Sequence, residues 1–177
     1  ILICLGIVII ILGIFIKTNW YMLKLKYGID SVVVWPGNIY DRYKENPNVD
    51  KQVFIEIKNK EVKELDIKIS DIIYLPELEQ ISFGILYGND DYKKENIPHK
   101  IFRVYLKNEE GYVYNEGGYV VTSGTFESYQ RRWISGIDIS NIKELTMYIC
   151  SLEIDNIEII EKKVATKLIY VRNTEKK

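Results

Sequence analysis

Residues 1–16 read ILICLGIVIIILGIFI and contain no charged side chain. As an α-helix this stretch would be about 24 Å long, slightly less than the ~30 Å hydrocarbon core of a bilayer. The following residues can complete the span, because Lys17 can extend its ammonium group toward water and because Trp20 and Tyr21 favour the membrane–water interface. The sequence therefore predicts a transmembrane anchor over residues 1–22, whose partner is the lipid bilayer.

The apolar stretch allows three interpretations other than an anchor. A cleaved signal peptide needs small residues after the apolar run, and residues 16–20 (IKTNW) offer none. A pilin-like helix is disfavoured, because no acidic residue lies near the start and because Gly28 and Pro36 would interrupt a long helix. A helix that is apolar on all sides could also be buried in a protein core, and this alternative stays open.

The orientation of the chain across the membrane follows from two opposing signals. Lys17, Lys24 and Lys26 come directly after the apolar run, and positive residues favour the cytoplasmic side. A short N-terminal anchor before one β-rich domain is similar to the outward-facing arrangement of many bacterial surface proteins. We expect a single-pass protein of the cell membrane with an extracytoplasmic domain. The alternative is a cytoplasmic-facing domain of a larger membrane protein.

Composition limits what the rest of the 177-residue chain can do. It is long enough for one domain with one hydrophobic core. The formal net charge of −1 creates no strong field that would attract nucleic acid, so no nucleic-acid partner is predicted. Cys4 lies in the predicted anchor, and Cys150 lies in an apolar run and is expected to be a buried, small hydrophobic residue. No intrachain disulfide is therefore expected.

Alternating apolar and polar residues dominate the chain beyond the anchor. In residues 51–59, Val53, Ile55 and Ile57 share one face, as in a half-buried strand. Gly84, inside another such run, predicts a bulge or a close contact. Residues 157–171 also fit a helix face, but the alternation of residues 167–172 favours strands. Strands are predicted at residues 31–35, 51–59, 64–74, 79–87, 100–107, 112–114, 119–126, 127–134, 145–154 and 157–171.

The strand pattern predicts the domain boundaries and the fold. Short strands with turn signals every eight to twelve residues are typical of an antiparallel β-sandwich. A juxtamembrane segment with a first short strand covers residues 23–50, the domain covers residues 51–172, and residues 173–177 form a tail. The predicted fold is an all-β, immunoglobulin-like antiparallel β-sandwich, preceded by one N-terminal transmembrane helix.

One short motif carries a resemblance to known domains. Tyr148-Ile149-Cys150, after a corner at residues 136–144, resembles the Tyr-x-Cys of the tyrosine corner in immunoglobulin-like domains. The chain departs from that pattern, because no partner cysteine lies on an earlier strand. The whole layout resembles membrane-anchored immunoglobulin-like β-sandwich domains of Gram-positive bacteria, including the outer parts of some anti-sigma factors. This resemblance implies sensing or binding rather than catalysis.

Patterns typical of catalysis and cofactor binding are missing from the sequence. It contains no phosphate-binding loop, no dinucleotide-binding glycine motif, no G-x-S-x-G and no H-E-x-x-H. The single histidine, His99, falls in a predicted loop and is expected to be solvated. Carboxylates at positions 90–91, 109–110 and 138 fall in predicted turns, where acids are common for local backbone reasons. No catalytic residue, transition-metal site or cofactor is predicted.

One strand suggests a binding surface. In residues 127–134, Tyr129, Arg131 and Trp133 would project from one face, and Arg132 and Ile134 from the other. Aromatic side chains with hydrogen-bonding neighbours suit sugars, peptides and protein partners. The same pattern also fits a core tryptophan beside tyrosines that line a sheet.

These observations predict a non-enzymatic, membrane-tethered interaction or sensing module. Its expected partner outside the membrane is another protein or a cell-wall polysaccharide, and Tyr129, Arg131 and Trp133 are the candidate ligand-binding residues. An alternative function is that of a cell-surface carbohydrate-binding domain that uses the same three side chains.

Overall fold

The computed structural model describes residues 2–33, 52–55, 57, 59–92 and 96–170. Within these ranges the chain forms a long N-terminal helix and two antiparallel sheets, so an all-β architecture with one N-terminal apolar helix is confirmed. The predicted strand at residues 31–35 begins in the described range, where residues 31–33 are not in a strand. Its remainder, the loop that follows and the tail at residues 173–177 lie outside the described residues.

Helix α1 covers Leu2–Lys26, four residues beyond the predicted end of the anchor. Within the described residues it is the only helix long and apolar enough to cross a membrane. Gly28 ends it with a φ of +68°, and the amides of Gly28 and Ile29 donate to the carbonyls of Leu25 and Lys24. This is a Schellman motif, which glycine favours because it tolerates the left-handed conformation without a steric penalty.

Most of the described strands overlap predicted ones, but the predicted strand at residues 119–126 is too long, because the strand there ends at Ser123 and residues 124–126 form a turn. The eleven strands of the described ranges are β1 (Val53–Ile55), β2 (Glu61–Val62), β3 (Ile67–Ile69), β4 (Ile72–Leu75), β5 (Gln80–Gly88), β6 (Phe102–Asn108), β7 (Val113–Asn115), β8 (Gly118–Ser123), β9 (Glu127–Ile134), β10 (Glu144–Asp155) and β11 (Glu158–Tyr170). A single helical turn, α2 (Asn89–Tyr92), follows β5. The predicted strand at residues 64–74 is wrong as one element, because it contains β3 and β4 and starts in a 3-10 turn at Lys63–Leu65.

The larger sheet is organised around β5. The first half of β5 pairs with β4 and its second half with β3, while β9 runs along its whole opposite side. β8 pairs with β9, and β1 and β2 pair with β4 and β3. The smaller sheet has the order β11-β10-β6-β7. The chain crosses from the smaller to the larger sheet between β7 and β8, through residues 116–117.

The two sheets share one core. Alternation in β5 points Ile81, Phe83 and Ile85 inward, as predicted, and none of the three is measurably exposed. The opposite side of this core comes from β6, β10 and β11. The buried residues of the smaller sheet in this cluster are Phe102, Val104, Leu106, Leu145, Met147, Ile149, Ala165 and Ile169.

Of the ambiguous residues 157–171, Glu158–Tyr170 form the strand β11, as predicted. β11 pairs with β10 along its length, from Asp155–Glu158 at the turn to Glu144–Tyr170 at the far end. The helical alternative fails because β10 offers a long partner whose backbone groups need pairing.

A second, smaller cluster covers the outer face of the larger sheet. Its buried members are Met22, Leu25, Val32, Val33, Ile73, Leu75 and Tyr129. The last turns of α1 therefore pack on the sheet, and this packing fixes the apolar helix relative to the domain.

Candidate functional site

The predicted ligand-binding strand lies where the sequence pattern placed it, because β9 covers Glu127–Ile134. Tyr129, Arg131 and Trp133 lie opposite Leu86, Gly84 and Ser82 of β5, on the outer face of the larger sheet. The intervening side chains point into the space between the sheets.

Tyr129 is a packing residue in this structure, since its side chain is only 3 % exposed and belongs to the cluster under α1. Its ring lies directly over Gly84 of the neighbouring strand, where a Cβ atom would be 2.1 Å from the phenol oxygen. Burial raises the pKa of the Tyr129 phenol. The close contact predicted at Gly84 is confirmed.

Trp133 and Arg131 are half-buried. The indole of Trp133 lies against the backbone of Gly117 and Gly118, where added Cβ atoms would come within 2.7 Å of it. The guanidinium of Arg131 is one of the charges that act on Asp30, just beyond the end of α1. Two of the three predicted side chains therefore keep a solvent-facing surface, and the third lies beneath the helix.

The junction between α1 and the β8–β9 turn (residues 124–126) has the most specific contacts on this side of the domain. Asn19 is 1 % exposed, although the residues before it in α1 are almost all apolar. Its amide nitrogen donates to the carbonyl of Phe15 at 2.8 Å and to the hydroxyl of Thr125 at 3.0 Å. Its amide oxygen accepts the backbone N–H of Thr125 at 2.6 Å. A buried polar group is costly unless it is paired, so this pairing selects one docked position.

A salt bridge and a glycine complete the junction. Lys26 in the last turn of α1 pairs with Glu127 at 2.5 Å. Gly124 lies so close to the helix that a Cβ atom there would be 2.6 Å from the amide oxygen of Asn19 and 3.0 Å from the Met22 methyl group. The helix therefore contacts the turn and the start of β9 from Asn19 to Lys26, over about two turns of α1.

A second asparagine holds the same turn from inside the domain. The side-chain amide of Asn89 donates to the carbonyls of Gly124 and Thr125 at 2.9 and 3.1 Å. Its backbone N–H donates to the carbonyl of Phe126 at 2.8 Å, and the hydroxyl of Ser128 donates to its side-chain oxygen at 2.7 Å. These hydrogen bonds within the protein hold the turn in one conformation, without contact to a ligand or a membrane.

The predicted membrane-interface residues lie on the part of α1 that faces away from the sheet. Lys17, Trp20 and Tyr21 are exposed, Trp20 by 49 % and Tyr21 by 71 %. Asn19, Met22 and Leu25 face the domain instead. The C-terminal half of the helix therefore has two faces, one for the sheet and one for its surroundings.

We expect Asn19→Ala to loosen the junction without unfolding the sheets. The Thr125 amide would lose its acceptor in a mostly buried place, which costs about 1–2 kcal/mol. Amide hydrogen exchange of the full chain in detergent micelles should show about tenfold faster exchange at Thr125. Thr18→Ala is the matched control, because the exposed Thr18 hydroxyl donates to the carbonyl of Ile14 within its own helix and, among the residues that the structure describes, makes no bond to the domain. Equal exchange in both variants would contradict the role of Asn19.

A buried ion pair lies between the sheets and was not predicted. Arg132 is fully buried, and its guanidinium pairs with Glu116 in the crossover from β7 to β8. It also donates to the carbonyl of Phe102 at 3.0 Å and to the side-chain oxygen of Gln130. Lys100 forms a second pair with Glu116. Burial lowers the pKa of Arg132, and the charge of Glu116 opposes that shift.

Two of the carboxylates considered for catalysis, Asp138 and Glu109, hold the local backbone in place. Asp138 accepts bonds from the backbone and hydroxyl of Ser140, which lower the pKa of its carboxyl, and Glu109 accepts the backbone N–H of Lys143. Cys150 is buried, and burial raises the pKa of its thiol to about 11. Among the described residues, no three His, Cys, Asp or Glu side chains gather as a metal site would require.

The motif that carries the family resemblance lies on β10. The ring of Tyr148 stacks on Tyr105 of β6, with centroids 4.8 Å apart and planes 6° from parallel. Ile149 is in the core.

Comparison with protein-family models, with curated proteins and with solved structures gave no match.

Proposed function

We propose that this chain is a single-pass, membrane-tethered module whose extracytoplasmic β domain binds or senses a partner and has no enzymatic activity. The observation that supports this function is the continuity of α1. Its first turns expose apolar side chains on most sides, and its last turns are docked on the larger sheet. One rigid element thus joins the bilayer to the domain.

This rigid connection favours sensing over simple tethering. A flexible linker would let the domain rotate without moving its anchor. Here Asn19, Met22 and Leu25 are buried against the domain, so a partner that tilts or rotates the domain would also move the helix. A ligand shifts the equilibrium between two positions of the domain only if it binds one position more tightly than the other. Because the helix is docked, the two positions differ in their contacts between helix and domain.

The type of β-sandwich is part of the same proposal. We infer an immunoglobulin-like sandwich from the two antiparallel sheets with a common core and from the resemblance carried by Tyr148-Ile149-Cys150. Domains of that kind bind through their surfaces, and the partner expected here is another protein.

Protease accessibility tests the topology that this function requires. A protease added to intact cells should degrade the β domain, and a cytoplasmic protein of the same cells should stay intact as the control. If the domain is protected until the cells are lysed, the extracytoplasmic assignment is wrong. The lysines after residue 16 would then set the orientation, and the alternative of a cytoplasmic-facing domain would replace this proposal.

Carbohydrate binding at the cell surface is the second candidate function. It is favoured by the half-buried indole of Trp133 beside Arg131 on the outer face of the larger sheet. Stacking of a sugar on this indole would contribute most of the affinity. Trp133→Ala should therefore abolish binding to cell-wall polysaccharide, whereas Tyr112→Ala, which removes an aromatic ring that is 64 % exposed, should not. Equal binding by both variants would remove the basis for this function.

A further inference from the structure

Phe126 is the most unusual side chain of the helix–domain junction. It lies at the tip of the β8–β9 turn and is 68 % exposed, although the turn around it is held by Asn19 and Asn89. Leaving a large aromatic ring in water forgoes roughly 1.5–3 kcal/mol of burial free energy. A rigid turn cannot fold that ring back into the domain, so its exposure is built into the structure.

The position of Phe126 along α1 suggests what covers it. Its ring centroid is 6.0 Å from that of Phe15, which belongs to the uncharged run of residues 1–16. Phe15 precedes Trp20 by five residues, which places it about 7 Å deeper along the helix axis than the interfacial tryptophan. The helix residues near this level are also exposed: Ile11, Leu12, Ile14 and Ile16.

We propose that the β8–β9 turn is a second membrane contact, in which the Phe126 side chain enters the boundary between lipid headgroups and acyl chains. This inference rests on the proposed membrane tether and extends it. When residues of α1 near Phe15 lie in hydrocarbon, the turn cannot remain in bulk water, because hydrogen bonds fix it to Asn19. Phe126 would then act with α1 to set the tilt of the domain on the bilayer.

The charges at this place agree with a contact that depends on apolar burial. The carboxylate of Glu127, next in sequence, is already paired with Lys26 at 2.5 Å. Because this carboxylate is paired, it does not oppose insertion of the turn into the membrane as an isolated negative charge. We accordingly expect binding of this turn to zwitterionic lipid, without a requirement for anionic headgroups.

A fluorescent label at the tip of the turn tests the proposal. The full chain carries Cys4→Ser and Phe126→Cys, labelled with a polarity-sensitive dye and reconstituted in phosphatidylcholine vesicles. Mass spectrometry checks that the buried Cys150 stays unlabelled. The control is Ser135→Cys, an exposed position just beyond the opposite end of β9, roughly 30 Å away along the strand.

The expected result is blue-shifted emission at position 126 that lipid-attached quenchers reduce several-fold, with water-like emission at position 135. Water-like emission at both positions, in chains that float with the vesicles, would overturn the second contact and leave the tether intact. Chains that do not float with the vesicles would overturn the tether itself, and with it this inference. The two failures are therefore distinguishable.

Discussion

Arg132→Met is expected to be among the most damaging single substitutions in this chain, with a loss of about 3–5 kcal/mol of unfolding free energy. The guanidinium is fully buried between the sheets and is held by Glu116, Gln130 and the carbonyl of Phe102. Its removal leaves the nearly buried carboxylate of Glu116 with only Lys100, and it leaves the acceptors on Gln130 and Phe102 without their donor. An uncompensated buried polar group costs more than the original pair contributes.

Urea denaturation of the full chain in detergent micelles measures this effect. Arg103→Met is the matched control, because Arg103 also lies on a strand and pairs with one glutamate, Glu161, at 2.7 Å. That pair is largely exposed, so its loss should cost about 0–1 kcal/mol. A loss for Arg132→Met no larger than that of the control would show that the buried pair does not stabilise the fold.

A double variant separates the charge from the volume. Replacing both partners, in Arg132→Met with Glu116→Leu, removes the unpaired charge and should recover part of the stability lost in the single variant. If the double variant loses the sum of the two single effects, the ion pair is not the reason for the destabilisation.

The extent of β9 could be predicted from the sequence because the signal is local. The predicted strand at residues 127–134 coincides with β9, and Gly136 follows shortly after its end. The two-residue period of a strand also placed Arg132 on the same face as Ile134, opposite to Tyr129, Arg131 and Trp133. Nothing nearby in sequence indicated the counter-ion, because Glu116 reaches Arg132 only through the crossover between the two sheets.

Residues 64–74 show why one strand was predicted where two exist. Leu65, Ile67 and Ile69 alternate and are all buried, as expected. The predicted strand is interrupted at two places. Asp66, with a φ of +49°, ends a 3-10 turn before β3. The chain then leaves β3 after Ile69 and begins β4 at Ile72. The alternation of apolar residues does not reveal a left-handed residue whose polar side chain faces outward.

The exposure of the candidate site residues depends on what covers their face of the sheet. The periodicity of the sequence does not predict that. The pattern placed Tyr129 on the same face as Arg131 and Trp133, and the structure shows that this is the outer face of the larger sheet and that α1 covers Tyr129 there. One signal of this docking was present in the sequence. Asn19 lies just beyond the apolar run, between Thr18 and Trp20, and a polar amide that is buried there needs a partner.

Gly84→Ala is expected to cost about 1.5–3 kcal/mol of unfolding free energy, although it adds only one methyl group. The new Cβ would lie 2.1 Å from the phenol oxygen of Tyr129 and 2.2 Å from its Cε1, far inside contact distance. Tyr129 cannot simply turn away, because Met22 and Leu25 of α1 pack over it. The ring must leave its cluster, with a loss of burial free energy of roughly 1.5–3 kcal/mol, or the strands must shift, which costs a similar amount.

Gly88→Ala on the same strand is the matched control. There the added Cβ meets only the side-chain oxygen of Asp91 at 3.1 Å, and that exposed carboxylate can move. A double-mutant cycle with Tyr129→Ala then identifies the clash, because the Gly84 substitution should cost little once the ring is absent. A cost that persists without the ring would mean that Gly84 is needed by the β5 backbone. Since Tyr129 joins the sheet to α1, Gly84→Ala should also speed exchange at the helix junction, which would make this glycine the point where sheet packing and helix docking meet.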